Sequence, residues 1–188
     1  MNPGKEFLAS TPEINWETPE IIASAQALFG DDPISIARSA FLFVRDEIGH
    51  SMDIGATKVT ATALEVLEEE HGFCYAKSLL LAALLRARSI PTGLCYQRLQ
   101  DDAGELALHG LNAIYLEPWG WVKVDARGNK PGVNAQFDPP NESLAFLPLK
   151  QGEETLTSIF SEPPASVVTA LKEAKDCQSL AKNLPQNC

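Results

Sequence analysis

The amino-acid sequence predicts an α+β fold in which a cysteine-bearing helix packs on an antiparallel sheet. Two observations carry that prediction. Leu79, Leu80, Ala83, Leu84 and Ala87 recur at helical spacing in a stretch rich in strong helix formers. Past Pro91 the period changes to alternation, and three short strand-like runs follow with only turns between them. A hydrophobic fraction of 45% over 188 residues can supply one core. The chain is therefore read as one domain over residues 1–188, with its core at 34–137, a lead-in at 1–33 and a C-terminal extension at 141–188.

Met1 to Thr18 reads as an irregular lead-in. Thr18-Pro19-Glu20 opens a helix that runs to Gly30. Asp31, Asp32 and Pro33 repeat the signal, and an amphipathic helix follows to Ile48, with Ile36, Ala40, Phe43, Val44 and Ile48 inward. Gly49 to Thr60 is a loop by composition. Thr60 or Thr62 caps a short helix, Ala63 to Glu70, whose acidic end is solvated. The central helix begins near Cys74, after Gly72, and ends before Pro91.

The first strand is Gly93 to Leu99. Asp101, Asp102 and Gly104 mark a turn, and the second strand is Ala107 to Leu116. Pro118 to Gly120 turns the chain into a third strand, Trp121 to Asp125. Strands this close in sequence form a meander. Arg127 to Pro140, rich in Gly, Asn and Pro, is a long surface loop of the kind that often carries function. Leu144 to Leu147 is expected to add an edge strand, and Pro163 to Lys175 a helix with Val167, Val168 and Leu171 inward. The polar tail from Cys177 to Cys188 is expected to fray.

A net charge of −10 argues against a nucleic-acid or anionic-membrane partner, because phosphate binding needs clustered Lys and Arg. No apolar run reaches the length of a membrane span. The start, MNPGKEFLAS, lacks the apolar segment of a secretory signal, so a cytoplasmic location is expected. There Cys74, Cys95, Cys177 and Cys188 are reduced thiols. None forms a CxxC pair, and no cofactor or metal is expected.

Cys74 falls in the first helical turn, where backbone N–H groups lack partners and the macrodipole is positive. That setting favours thiolate, the nucleophilic form. Alone, such a residue is more often a small buried hydrophobe. A base and an orienting carboxylate lie downstream. His109 sits on the second strand and Asp125 ends the third, and a hairpin can set them side by side. The carboxylate then fixes one imidazole nitrogen and leaves the other for the thiol. His71 is too near Cys74 in sequence to approach it across a cleft and is read as a surface loop residue.

Three blocks carry a family resemblance. GFCYAKSLLLAALLRARSIPTGLCYQRL resembles the Gly-x-Cys helix and following strand of the transglutaminase-like superfamily of papain-fold thiol enzymes. LHGLNAIYL resembles that family's His strand, and GWVKVDARGN the strand ending in its Asp. FLFVRDEIGHS resembles its lead helix. The resemblance covers about Ile34 to Phe137. It implies a papain-like, transglutaminase-like core with Cys74 as nucleophile, His109 as general base and acid, and Asp125 as the residue orienting the imidazole. One departure is Ser89, where the family often has the glycine that a helix C-cap favours.

The implied activity is acyl transfer on peptide-like or glutamine-type amides through a thioester. Hydrolysis is favoured over cross-linking, because water is the default acceptor unless a site excludes it. The partner is then a peptide or protein amide. The Cys74 N–H would serve the oxyanion, and His50 or Ser51 is a further donor. Tyr75, Trp119, Arg127 and Asn129 join His50 as substrate-binding candidates, with Lys130 beside them. Lys77 is read as a solvated helix charge and Cys95 as inert packing. The alternative is a papain-like fold used as a non-catalytic binding module, which loss of Cys, His or Asp would have favoured. A metal site of Cys74, His109 and His50 ranks last, its spacing matching no usual ligand pattern.

Overall fold

A computed structural model describes residues 3–101 and 104–188. The expected turn residue Asp102 lies outside the described residues. A 3-10 turn, Lys5–Leu8, precedes helices α1 (Pro19–Ala27) and α2 (Pro33–Asp46). A two-residue strand β1 (Gly49–His50) and helix α3 (Ala63–Glu69) lead to a second short strand, β2 (His71–Gly72). The central helix α4 (Cys74–Ala87) follows, then β3 (Thr92–Gln100), β4 (Leu106–Leu116) and β5 (Gly120–Val124). The chain ends with β6 (Glu154–Thr155), α5 (Ala165–Glu173) and α6 (Cys177–Ala181).

Capping chemistry fixes the helix starts. Asp32 and Ser35 close a capping box at α2, and Thr62 and Glu65 close another at α3. Thr18 precedes α1 without a side-chain cap bond. Every residue of α4 from Cys74 to Arg86 is buried. A helix apolar on all sides must be surrounded, and here α1, α2 and α3 pack on it together with β3 and β4. Its one buried guanidinium, Arg86, donates to the carbonyls of Ala9, Thr92 and Ser161. The helix ends in a Schellman motif. Ile90 N–H reaches the Leu85 carbonyl and Ser89 N–H the Arg86 carbonyl, with Ser89 left-handed at φ +58°. The departure noted at Ser89 thus marks a real left-handed position filled without glycine.

The sheet order is β5-β4-β3-β6, antiparallel throughout. Leu94 faces Asn112 across β3–β4, and Asn112 faces Val124 across β4–β5. Strands β1 and β2 pair in parallel, Gly49 with His71 and His50 with Gly72. That short ladder ties His50 to the backbone just before Cys74.

Four expectations are corrected. Leu144 to Leu147 forms no strand. The Gln97 side chain takes the Phe146 carbonyl, the buried Asp125 carboxylate takes the Ala145 N–H, and Pro148 offers no donor. The edge partner of β3 is β6 instead. The tail does not simply fray, since Asp176 and Ser179 close a capping box that starts α6 and buries Cys177 and Leu180. The lead-in contributes to the core through Ile14. Lys77 is buried rather than solvated. No helix among the described residues is long and apolar enough to cross a membrane.

Candidate active site

Cys74 is the first residue of α4, with Phe73 as its N-cap in extended conformation. It is 8% exposed. Its amide, at N1, has no intrahelical acceptor. Gly110 on β4 donates its N–H to the Cys74 sulfur at 3.4 Å. That approach favours glycine: a Cβ at 110 would stand 3.1 Å from both the nitrogen and the Cα of Tyr75.

His109 precedes that glycine. Its Nε2 is 2.7 Å from Asp125 Oδ2, which leaves Nδ1 for the other side of the ring. Asp125 follows directly on β5, and continuing the register sets it opposite Leu111, diagonally across from His109. Its carboxylate is wholly buried and also accepts the N–H groups of Arg127 and Ala145, each at 3.1 Å. Burial works against its charge, but the His109 imidazole and these donors outweigh it and hold the carboxyl below its ordinary range. Burial likewise pushes the His109 imidazole down. The neighbouring Asp125 carboxylate and Cys74 thiol more than reverse this and raise it to about 10. The edge of the His109 ring meets Phe146, centroids 5.0 Å apart.

These groups open on a cleft of about 740 Å³ that also includes His50, Tyr75 and Arg127. The His50 ring lies 5.5 Å from Phe73, and its Nδ1 is buried without a hydrogen-bond partner. Burial, followed by the Arg127 guanidinium, pushes the imidazole down to about 3, so it is neutral. Arg127 reaches the cleft but is not free: its guanidinium forks onto both oxygens of Asp53, one contact at 3.1 Å, and Lys130 joins at 2.8 Å. The pair pins the loop after His50 to the end of β5. Burial opposes the charge on Asp53, and the hydrogen bonds from Arg127 and Lys130 overcome it, holding the carboxyl well below its usual range. Tyr75 is buried, and its hydroxyl donates to the Leu108 carbonyl.

Two of the expected substrate contacts lie elsewhere. Trp119 is at the β4–β5 turn, in a separate depression with Asp32, Arg38 and Phe137. Asn129 braces its own loop, exchanging hydrogen bonds with the backbone of Ala135. His71 is no surface residue. It is 7% exposed, and its Nδ1 lies 3.0 Å from the Ser51 hydroxyl. Ser51 is thereby engaged in bracing β2.

Sequence reasoning missed Asp53, Gly110, Ala145 and the burial of Lys77. Lys77 lies one turn along α4 from Cys74, and its ammonium donates to the Ile48 carbonyl, just before β1. Burial, then Arg127, push it down to about 7, against the pull of Asp125, Asp46 and Asp53. One signal was legible: Lys77 is a charge in the first turns of a largely apolar helix and lies a turn from the cysteine. Cys95 is packing as expected, with burial pushing its thiol up to about 12.

A model described as the transglutaminase-like superfamily matches residues 22–126, more than half of the chain, and the match includes Cys74, His109 and Asp125. No curated protein matches. Among solved structures, the chain is similar to a protein of Cytophaga hutchinsonii described as a candidate cysteine protease. The identity is 20% and the TM-score 0.49, over 64% of this chain and 40% of that one. It is also similar to the periplasmic domain of TgpA from Pseudomonas aeruginosa, at 20% identity and a TM-score of 0.49, over 67% of this chain and 48% of that one. The chain spans less than half the length of either structure.

Proposed function

Because this chain belongs to the transglutaminase-like superfamily, we propose that it is a thiol enzyme transferring acyl groups from peptide-like or glutamine-type amides, with Cys74, His109 and Asp125 as its catalytic residues. The observation that carries the reading is the His109 imidazole, bonded at 2.7 Å to a buried carboxylate and borne by the residue before Gly110, whose N–H reaches the Cys74 sulfur at 3.4 Å. A lone buried cysteine needs neither partner.

The steps follow from these positions. His109 Nδ1 takes the thiol proton, and Asp125 steadies the imidazolium. The Cys74 sulfur attacks the amide carbonyl carbon and forms a C–S bond. The oxyanion meets the unpaired N–H of Cys74 and the positive end of α4. Neutral His50, its ring packed on Phe73, can add a donor from the cleft wall. The C–N bond breaks as His109 gives its proton to the departing amine. Water then attacks the thioester, His109 accepts its proton, the C–S bond breaks, and the acid leaves. Hydrolysis is favoured because water is the default acceptor unless a site excludes it. The cytoplasmic setting belongs to the same proposal, supported by four unpaired cysteines.

The test is exposure to p-nitrophenyl acetate followed by peptide mass mapping. A transient acetyl adduct on Cys74 is expected, absent from His109→Ala. Acetylation of the exposed Cys188 with none on Cys74, unchanged by the substitution, would overturn the reading.

A further inference from the structure

We infer that the acyl donor carries a bulky apolar side chain beside its reactive carbonyl, and that the C-terminal extension helps to bind it. The inference rests on the acyl-transfer reading and specifies the substrate class for that site. The cleft that contains Cys74 is walled by Met52, Phe73, Leu108, Phe146, Leu147 and Leu184. Its volume, about 740 Å³, is within the range of small-molecule and peptide sites. Leu147 is 64% exposed and its neighbour Leu149 is 83% exposed. Two leucines left in water at the mouth of a nucleophile's cleft are more stable once an apolar group covers them.

Three charged groups of the cleft point the same way, because Arg127, Glu153 and Asp101 are already engaged by the protein. Arg127 is closed on Asp53. The Glu153 carboxylate accepts the N–H groups of Gln100, Leu149 and Lys150. Asp101 accepts the Glu105 N–H. To pair with Arg127, Glu153 or Asp101, a charged substrate side chain would have to displace one of these contacts, whereas an apolar one displaces only water.

The extension is held at the cleft by backbone contacts. Leu108, the residue before His109, donates its N–H to the Pro185 carbonyl at 2.7 Å. Arg98 contacts the Gln186 carbonyl and the Asn187 side chain, and Ser166 donates to the Asn187 carbonyl. Leu184 is thereby held in the lining of the cleft, half-buried against the core. Residues outside the family match thus supply one wall of the site.

The test uses four active-site-directed reagents, the N-acetyl-leucyl, -phenylalanyl, -glutamyl and -lysyl chloromethyl ketones, with mass mapping of the labelled cysteine. In each, the Cys74 sulfur displaces chloride. Leucyl and phenylalanyl reagents are expected to label Cys74 about tenfold faster or more than glutamyl and lysyl ones. Leu147→Ser and Leu184→Ser should each reduce that ratio severalfold, while Phe29→Ser, an exposed apolar site outside the cleft, should not. Equal labelling of Cys74 by all four would overturn the inference and leave the thiol chemistry standing. A ratio insensitive to both Leu147→Ser and Leu184→Ser would overturn the role given to the extension. No labelling of Cys74 by any reagent would overturn both the inference and the acyl-transfer reading beneath it.

Discussion

Replacing Lys77 by Met tests whether the buried ammonium carries an electrostatic cost. Lys77 is 1% exposed, and burial is the largest influence bringing it from 10.5 to about 7. Between those values the unfolded chain holds a proton that the folded chain has released. By linkage, the stability of the wild type gains a rising component with pH there, of about 1.4 kcal/mol per pH unit. Over the whole interval that component amounts to about 5 kcal/mol. Lys77→Met has no such component. Methionine keeps an unbranched apolar stem, one atom shorter, but abandons the Ile48 carbonyl, a loss of about 1–3 kcal/mol that does not vary with pH. The lost bond therefore offsets the difference between the two proteins without changing its slope. Urea unfolding at pH 7, 8, 9 and 10 measures both. The variant should be the more stable near pH 7, by roughly 2 kcal/mol or more, and the wild type should gain on it with each step upward. A difference that stays flat would refute the desolvation argument. A variant that instead gains on the wild type as pH rises would show Lys77 held as a cation by Asp125, Asp46 and Asp53.

The remaining predictions concern the site and the ends of its elements. Asp53→Ala strips a buried guanidinium of its partner and should cost roughly 2–4 kcal/mol by urea unfolding. Because the Asp53 carboxyl is held low in the folded state, its contribution is complete above about pH 4 and is lost as pH falls toward the folded value. The variant should lack that part of the acid limb. Ser89→Gly relieves a left-handed serine and should raise stability by about 0.5–1 kcal/mol, or roughly 1–4 °C in melting temperature. Gly110→Ala drives a Cβ into the Tyr75 backbone and should cost about 1–3 kcal/mol and slow acylation of Cys74. Asp125→Asn removes the charge that raises His109, and burial then favours the neutral imidazole. Carbonyl attack by Cys74, measured as p-nitrophenyl acetate acylation, should fall by at least a hundredfold with the fold retained by circular dichroism.

The elements that position the proposed nucleophile and its partners were legible because short-range chemistry sets them. The apolar run of α4, the break at Gly72, the change to period 2 after Pro91 and the two short turns place Cys74, His109 and Asp125 without any long-range information. What was not legible depends on partners distant in sequence. Nothing in the composition of Leu144 to Leu147 says that Asp125 will claim the Ala145 amide, 20 residues away, and so forestall a strand. Trp119 and Asn129 are near Asp125 in sequence, yet the twist of the β4–β5 turn carries one to another face and the loop keeps the other for itself.

The same reasoning explains why Lys77 and His71 were misread together. Both are polar residues on segments next to Cys74, where solvent exposure is the ordinary expectation. Both are buried because the loop from Ile48 to Ser51 closes over them and supplies the groups they bind: the Ile48 carbonyl for Lys77 and the Ser51 hydroxyl for His71. That loop is also the strand that carries His50 and the segment that Arg127 fastens through Asp53. Three separate polar contacts, from α4, from β2 and from the end of β5, therefore converge on one short segment. Such satisfied polar contacts fix a segment more narrowly than apolar packing, because each is lost over a fraction of an ångström and its donor is then left unpaired. The segment needs that precision only if His50 has a position to keep. Loosening it by Asp53→Ala should then impair turnover of the acyl-enzyme more than the initial labelling of Cys74 by a small alkylating reagent, which uses the thiol but not the cleft wall. Equal loss of both would show that the clamp serves stability alone.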